Sequence, residues 1–183
     1  MLSIVGRMVS IDKMKREIGL WKRQAESDAL TKLGNRAYGE RLLQQMLCEP
    51  QKEKAAVMFL DVDNFKMVND RHGHLFGDEV LCRIANEISK QFRIDDIVCR
   101  IGGDEFAVIA AAADEDAVKA AVETLRRLCA EWDAKEEYPV SIAVGYAMQA
   151  GRTMTADELF MEADAAMYRN KAEIKKAVGG ISR

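Results

Sequence analysis

Apolar residues along this chain change their spacing from one stretch to the next, and each spacing predicts an element. From Ile11 they fall at Ile11, Met14, Ile18, Trp21 and Ala25 in an otherwise charged stretch. Steps alternating between three and four form a heptad seam, which suits either a two-stranded coiled coil or an amphipathic helix packed on its own domain. The stretch Asp28-Ala29-Leu30-Thr31-Lys32-Leu33-Gly34-Asn35-Arg36 breaks that pattern, and Asn35 is placed to cap a helix over 36–48. Residues 54–60 are a short apolar run ending at Asp61, read as a buried strand. A helix over 78–92 follows, with Val80, Leu81, Ile84, Ala85, Ile88 and Phe92 at helical spacing.

Two further strands, 97–101 and 106–111, flank Gly102-Gly103-Asp104-Glu105, a hairpin signal because both glycines accept positive φ. Residues 116–132 read as a helix, and Val140, Ile142, Val144, Tyr146 and Met148 alternate with period two as a strand. Thr155 with Glu158 makes a capping box for a last helix running past Tyr168. The sum is an α/β sandwich of the α+β kind: a mainly antiparallel sheet flanked by helices.

With 183 residues, 49% of them hydrophobic, one domain with a sizeable core and a short appendage is expected. A net charge of −3 provides no basic field for a nucleic-acid backbone, so an anionic ligand must be held locally, by a metal or a few lysines. Cys48, Cys82, Cys99 and Cys129 lack paired CxxC spacing and read as core thiols in a reducing compartment. No apolar run approaches a membrane span and no signal-peptide pattern opens the chain, which therefore reads as soluble and cytoplasmic.

Carboxylates at strand ends are the first feature that asks for chemistry. Asp61 and Asp63 close one apolar strand, and Asp104 and Glu105 sit on the hairpin. If the two strands are neighbours, four carboxylates converge and repel one another unless a cation lies among them; hard oxygen ligands suit Mg²⁺. Separately, Asp63 reads as a helix cap and Asp104 as a turn residue. Lys66 follows on the same loop as Asp63, and Lys171 and Lys175 stand one helical turn apart on the last helix, the kind of cations a triphosphate needs beside its metal.

At Arg100-Ile101-Gly102-Gly103-Asp104-Glu105-Phe106 the sequence resembles the GGDEF family of diguanylate cyclases, which make cyclic di-GMP from two GTP. The stretch from Asp28 to Arg36 resembles the family's opening signature, and Asp61-Val62-Asp63-Asn64-Phe65-Lys66-Met67-Val68-Asn69-Asp70 its metal strand and following loop. Gly73-His74 and Gly77-Asp78 continue that block; Ser141 to Gly145 and Ala163 to Lys171 resemble the late strand and C-terminal helix. Two departures stand out: Asn64 where an aromatic is frequent, and Asn170 in place of the usual alanine.

The resemblance implies a fold similar to nucleotidyl cyclase and polymerase palm domains, with 1–27 a linker helix and 28–183 the catalytic domain. It implies that Asp61 and Asp104 hold Mg²⁺, or Mn²⁺, together with the backbone carbonyl of Val62. Lys66 and Lys171, with Lys175 beside them, would meet the phosphates, and Phe65, Gly102 and Gly103 would also contact substrate. Asp78 can accept the adjacent N1–H and N2–H₂ donors of guanine, with Asn69 on another part of the base edge and His74 at a substrate position. Glu105 would accept the proton of the attacking ribose hydroxyl or hold a second metal; both roles stay open. One GTP per subunit makes a homodimer necessary, and the linker helix would join a sensory domain in a longer protein, with membrane anchoring through that region an option. Arg93 and Asp96 have the RxxD spacing of the family's inhibitory cyclic di-GMP site, and a surface salt bridge is the plainer reading of the same pair. The competing function is a catalytically silent module that binds GTP or cyclic di-GMP as a signalling adaptor.

Overall fold

The apolar run that ends at Asp61 becomes the strand around which the chain is organised. The computed structural model describes residues 13, 14, 17, 19, 21, 24–48, 55–111, 114–136 and 141–180. In order these form β1 (Gly34–Asn35), α1 (Arg36–Leu47), β2 (Ala56–Asp63), α2 (Phe65–His72), α3 (His74–Gln91), β3 (Ile97–Arg100), β4 (Glu105–Ala110), α4 (Glu115–Glu136), β5 (Ser141–Met148) and α5 (Ala156–Gly180). The sheet order is β1-β3-β4-β2-β5. β2 pairs antiparallel with both β4 and β5, β3 pairs antiparallel with β4, and short β1 runs parallel to β3. The mainly antiparallel sheet expected from the sequence is therefore present.

Period-two alternation on β2 supplies both layers of the core. Ala56, Met58, Leu60 and Val62 join Val80, Leu81, Ile84 and Ile88 of α3 and Val118, Val122 and Leu125 of α4 in one cluster. Val57 and Phe59 face the other way, toward Leu43 and Met46 of α1 and Leu159 and Ala163 of α5. Asp61 and Asp63 share the parity of Val57 and Phe59, so the α1/α5 face receives them. Helix ends follow local chemistry: Asn35 Oδ1 accepts from Tyr38 N at 3.0 Å to cap α1, and Thr155 and Glu158 bond reciprocally ahead of α5.

Several expectations change. Residues 65–72, expected as loop, are the helix α2, and α3 begins at His74 rather than at Asp78. Gly73, with φ +87°, is the break between them, a left-handed conformation that costs glycine nothing. Cys99 is fully buried, which pushes its thiol up to about 12, but Cys48 is exposed and Cys82 half-buried, so the thiols are not uniformly core; the Cys129 side chain lies outside the described residues. In the heptad seam, Met14 is 53% and Trp21 70% exposed, and Ala25 is exposed as well; Ile11 and Ile18 lie outside the described residues. The described members of the seam are thus not packed on the described part of the domain. Among the described residues no helix is long and apolar enough to cross a membrane.

Asn170 acquires a structural role. β5 is the edge of the sheet, and Asn170 Oδ1 accepts from its Val144 N–H at 3.0 Å and from Arg126 Nη2 of α4 at 2.9 Å. One side chain thereby satisfies a backbone donor on an edge strand and joins β5 to α4 and α5. Asn170→Ala, the residue usual in the family, is expected to lower unfolding stability by about 1–3 kcal/mol, because a partly buried N–H and guanidinium lose their acceptor. Urea unfolding at constant slope checks this.

Candidate active site

Adjacent strands bring the acidic strand ends together. In the β2–β4 register Asp61 lies opposite Glu105, and Val62 N donates to the Asp104 carbonyl at 3.0 Å, which ties the hairpin along the end of β2. Asp61 and Asp63 are each 5% exposed. From α5, Lys171 Nζ reaches Asp61 Oδ1 at 2.5 Å and stands 4.0 Å from Asp63 Oδ1. Beside them opens a cleft of about 340 Å³ lined by Asp61, Glu105, Asp164, Tyr168, Lys171 and Lys175.

Electrostatics in this cluster are those of crowded like charges. Burial first, then the neighbouring Asp61, Asp104 and Asp164, push the Glu105 carboxyl up, with Lys171 opposing. Burial likewise raises Asp63, aided by Asp61 and opposed by Lys171 and the Ser141 hydroxyl. Burial works against the charged form of Lys171, yet its bond and attraction to Asp61, with Asp63 and Asp104 behind, carry its pKa above the usual lysine value. Among the described residues no three His, Cys, Asp or Glu side chains already stand together as a metal nest, and the Lys171 ammonium lies on Asp61, where the sequence led to a metal cation being expected. The donor set nonetheless fits a divalent ion, because buried carboxylates whose proton affinity is raised by one another are stabilised by any added cation.

The hairpin does not turn as expected. Neither Gly102 nor Gly103 has positive φ. Gly102 instead makes room for Glu105, whose side chain folds back over it so that a Cβ there would force the Glu105 carboxylate to move. Ile101 N donates to the Glu105 carbonyl at 2.9 Å to close the turn. Arg100 braces it from behind, with Nη2 donating to the Gly103 carbonyl at 2.7 Å and Nη1 to Asp28 Oδ1 at 3.2 Å.

A second group forms on α2 and α3. Asn69 Oδ1 is buried without a hydrogen-bond partner, and a Cβ on Gly77 would collide with it. Asn69 therefore sits against the residue preceding Asp78, which with His74 is exposed on the first turns of α3. Phe65 packs partly buried at the same point, and Lys66 is exposed in the first turn of α2. Asn64, before it, adopts φ +62°, a conformation asparagine tolerates better than most residues, which accounts for a non-aromatic side chain there. Arg93 and Asp96 lie apart from both groups, before β3 on the end away from the hairpin; the Arg93 backbone N–H, not its guanidinium, donates to Asp96 Oδ2 at 2.9 Å.

The family model for the diguanylate cyclase GGDEF domain matches residues 25–177. This chain belongs to the GGDEF family. The diguanylate cyclase TpbB of Pseudomonas aeruginosa is 39% identical over 158 residues, 83% of this chain and 36% of that protein, so the chain spans about a third of this relative's length. A solved GGDEF domain in an interaction with cyclic di-GMP is 34% identical, with TM-score 0.73 over 84% of this chain and 94% of that one. The coiled coil and GGDEF domain of DgcB from Caulobacter crescentus, in complex with c-di-GMP, shares the fold at TM-score 0.83 over 93% of each chain, at 23% identity.

Within this GGDEF domain, Asp164 and Tyr168 line the cleft and Arg100 and Asp28 brace the hairpin, roles not evident from the motifs that contain them. Asp164 and Tyr168 precede Lys171 by seven and three residues on α5, so helical periodicity alone could have placed them in the cleft. The raised Glu105 pKa yields a stability test. Because the folded protein holds this proton more tightly than the unfolded chain, ionised Glu105 is a cost to the native state above its folded pKa, and the cost disappears as pH falls below the ordinary 4.5. With metals chelated, Glu105→Gln should melt higher than the parent near neutral pH and converge with it below pH 4.5. A lower melting temperature for the variant near neutrality would contradict the assignment.

Proposed function

We propose that this chain condenses two GTP into cyclic di-GMP, releasing pyrophosphate, with two subunits face to face and one GTP on each. The observation that carries this reading is the pairing of buried Asp61 with Glu105 across adjacent strands, answered by Lys171 beside an open cleft. Asp61 and Asp104, with the Val62 carbonyl, would hold Mg²⁺ or Mn²⁺, which offsets negative charge gathering on the α-phosphate. Glu105, whose proton affinity is raised, is suited to take the proton of the 3′-hydroxyl as its oxygen attacks the α-phosphorus in line and pyrophosphate leaves. Lys66, Lys171 and Lys175 bind the leaving phosphates. The Asn64 side chain makes no cap bond, so the first N–H groups of α2 are also available to the phosphates. Gly102 and Gly103 keep the hairpin backbone open to the nucleotide.

Base recognition falls to α2 and α3. The unpartnered Asn69 Oδ1 accepts an N–H of guanine, the exposed Asp78 carboxylate accepts N1–H and N2–H₂, and His74 and Phe65 border the nucleotide. Adenine offers no such donor pair to Asp78. Since one subunit holds one GTP, the attacking hydroxyl arrives from a second subunit, and the exposed Met14–Trp21–Ala25 stripe is the surface proposed to pair the linker helices. Arg93 and Asp96 form the proposed inhibitory product site; the main-chain bond to Asp96 leaves the guanidinium for the ligand.

The deciding experiment is incubation with GTP and Mg²⁺ at several protein concentrations, with the product identified by mass. Cyclic di-GMP formed at a specific activity that rises with concentration is expected; GTP bound and left unchanged would favour the silent adaptor. Gly77→Ala should weaken GTP binding about tenfold or more, because the new methyl displaces Asn69 from the base. Calorimetric titration with a non-reacting GTP analogue reads this. Arg93→Ala should relieve inhibition by added product while leaving the initial rate intact, and equal inhibition of variant and parent would dismiss the site.

A further inference from the structure

Lys171 occupies two roles that exclude each other in space. Its ammonium lies 2.5 Å from Asp61 Oδ1 and 4.0 Å from Asp63 Oδ1, both on carboxylates that are almost wholly buried. Burial screens these charges poorly from one another, so a divalent ion held by Asp61 and an ammonium on the same carboxylate repel strongly. Lys171 is also the cation that meets the phosphates in the reading above, and it cannot hold a phosphate oxygen and Asp61 at full strength together. The cleft offers the lysine another position: it opens between Lys171 and Lys175, one helical turn on, and Lys171 keeps a quarter of its side chain exposed toward it.

We propose that Lys171 and the divalent metal compete for Asp61, and that the triphosphate resolves the competition by drawing the ammonium away. This rests on the proposed cyclase reading of the site. Lys171 then does more than bind phosphate. It withholds the acidic strand ends from metal until a triphosphate arrives, so metal and nucleotide bind cooperatively and each tightens the other by the same factor. The sign of the consequence is unusual for a substrate-binding residue: removing the lysine should strengthen metal binding in the absence of nucleotide.

The test uses Mn²⁺ titrated into the whole chain without nucleotide, followed by electron paramagnetic resonance of free Mn²⁺. Lys171→Met, which keeps the apolar stem, should bind Mn²⁺ about tenfold more tightly than the parent. Lys171→Gln, a second variant that retains polarity without charge, should do the same. Lys175→Met removes an equal charge from the next turn without touching Asp61 and should change Mn²⁺ affinity far less, which separates direct competition from a general field effect. A non-reacting GTP analogue, corrected for its own chelation of Mn²⁺, should tighten Mn²⁺ binding to the parent by a larger factor than to Lys171→Met, where only the attraction of the bound phosphates for the ion remains. Unchanged or weaker nucleotide-free Mn²⁺ binding by both Lys171 variants, or an equal gain in Lys175→Met, overturns the competition. These readouts need no turnover: a parent that makes no cyclic di-GMP would remove the proposed reaction and leave the Mn²⁺ comparison to decide the role of Lys171.

Discussion

Two carboxylates at the end of a central strand, almost without solvent, require a positive charge within the fold. Asp61 and Asp63 are placed there by the parity of β2, whose apolar neighbours on the same face anchor α1 and α5. Removing charge from water without a partner costs several kcal/mol or drives the group to its neutral form. The answer is Lys171, and it sits where it does because α5 packs against β5 and β2. The position of the last helix, the burial of its Ala163 and Met167 face and the electrostatics of the cleft are therefore one constraint seen from three sides.

Much of this frame was legible in the chain. A short apolar run marked β2, the Gly-Gly signal marked β3 and β4, and period-two alternation marked β5; helical spacing marked α3 and α4, and Asn35 and the Thr155–Glu158 pair marked two helix starts correctly. What escaped was of two kinds. Residues 65–72 have too few apolar positions to advertise a helix, with Val68 alone buried, and α2 is held by packing on α3 rather than by its own pattern. Side-chain contacts across long separations were also hidden: nothing local says that Arg100 will reach both Asp28 and the Gly103 carbonyl.

The candidate site shows the same division. Asp61 facing Glu105 follows from strand adjacency once the hairpin is granted, so residue types and spacing sufficed. The reason for the hairpin glycines did not. A positive-φ turn is the common use of Gly-Gly, but here neither glycine adopts one, and the Glu105 side chain lies over Gly102, a contact that no dipeptide preference encodes. Asn69 is similar: its value lies in an acceptor left buried and unbonded, and a polar residue in a sequence does not disclose whether its partner is present.

The hairpin is also tied to the point where the helical N-terminal segment ends. Asn35 Nδ2 donates to the Ala25 carbonyl at 2.6 Å, Ser27 bridges to Gly34, and Asp28 N donates to the Leu33 carbonyl at 2.8 Å. Asp28 Oδ1 then accepts from Thr31 and from Arg100, whose guanidinium holds Gly103. Burial alone would raise the Asp28 carboxyl, but these donors together hold it below its ordinary value, which favours the ionised form that pairs with Arg100. Both partners are mostly shielded, at 14% and 22% side-chain exposure, so salt screens this pair less than the ion pairs of the surface. A turn bonded at each of these points has little freedom to bend independently. Residues 25–35 are consequently bonded, through Asp28 and Arg100, to the turn that leads into the strand carrying Glu105.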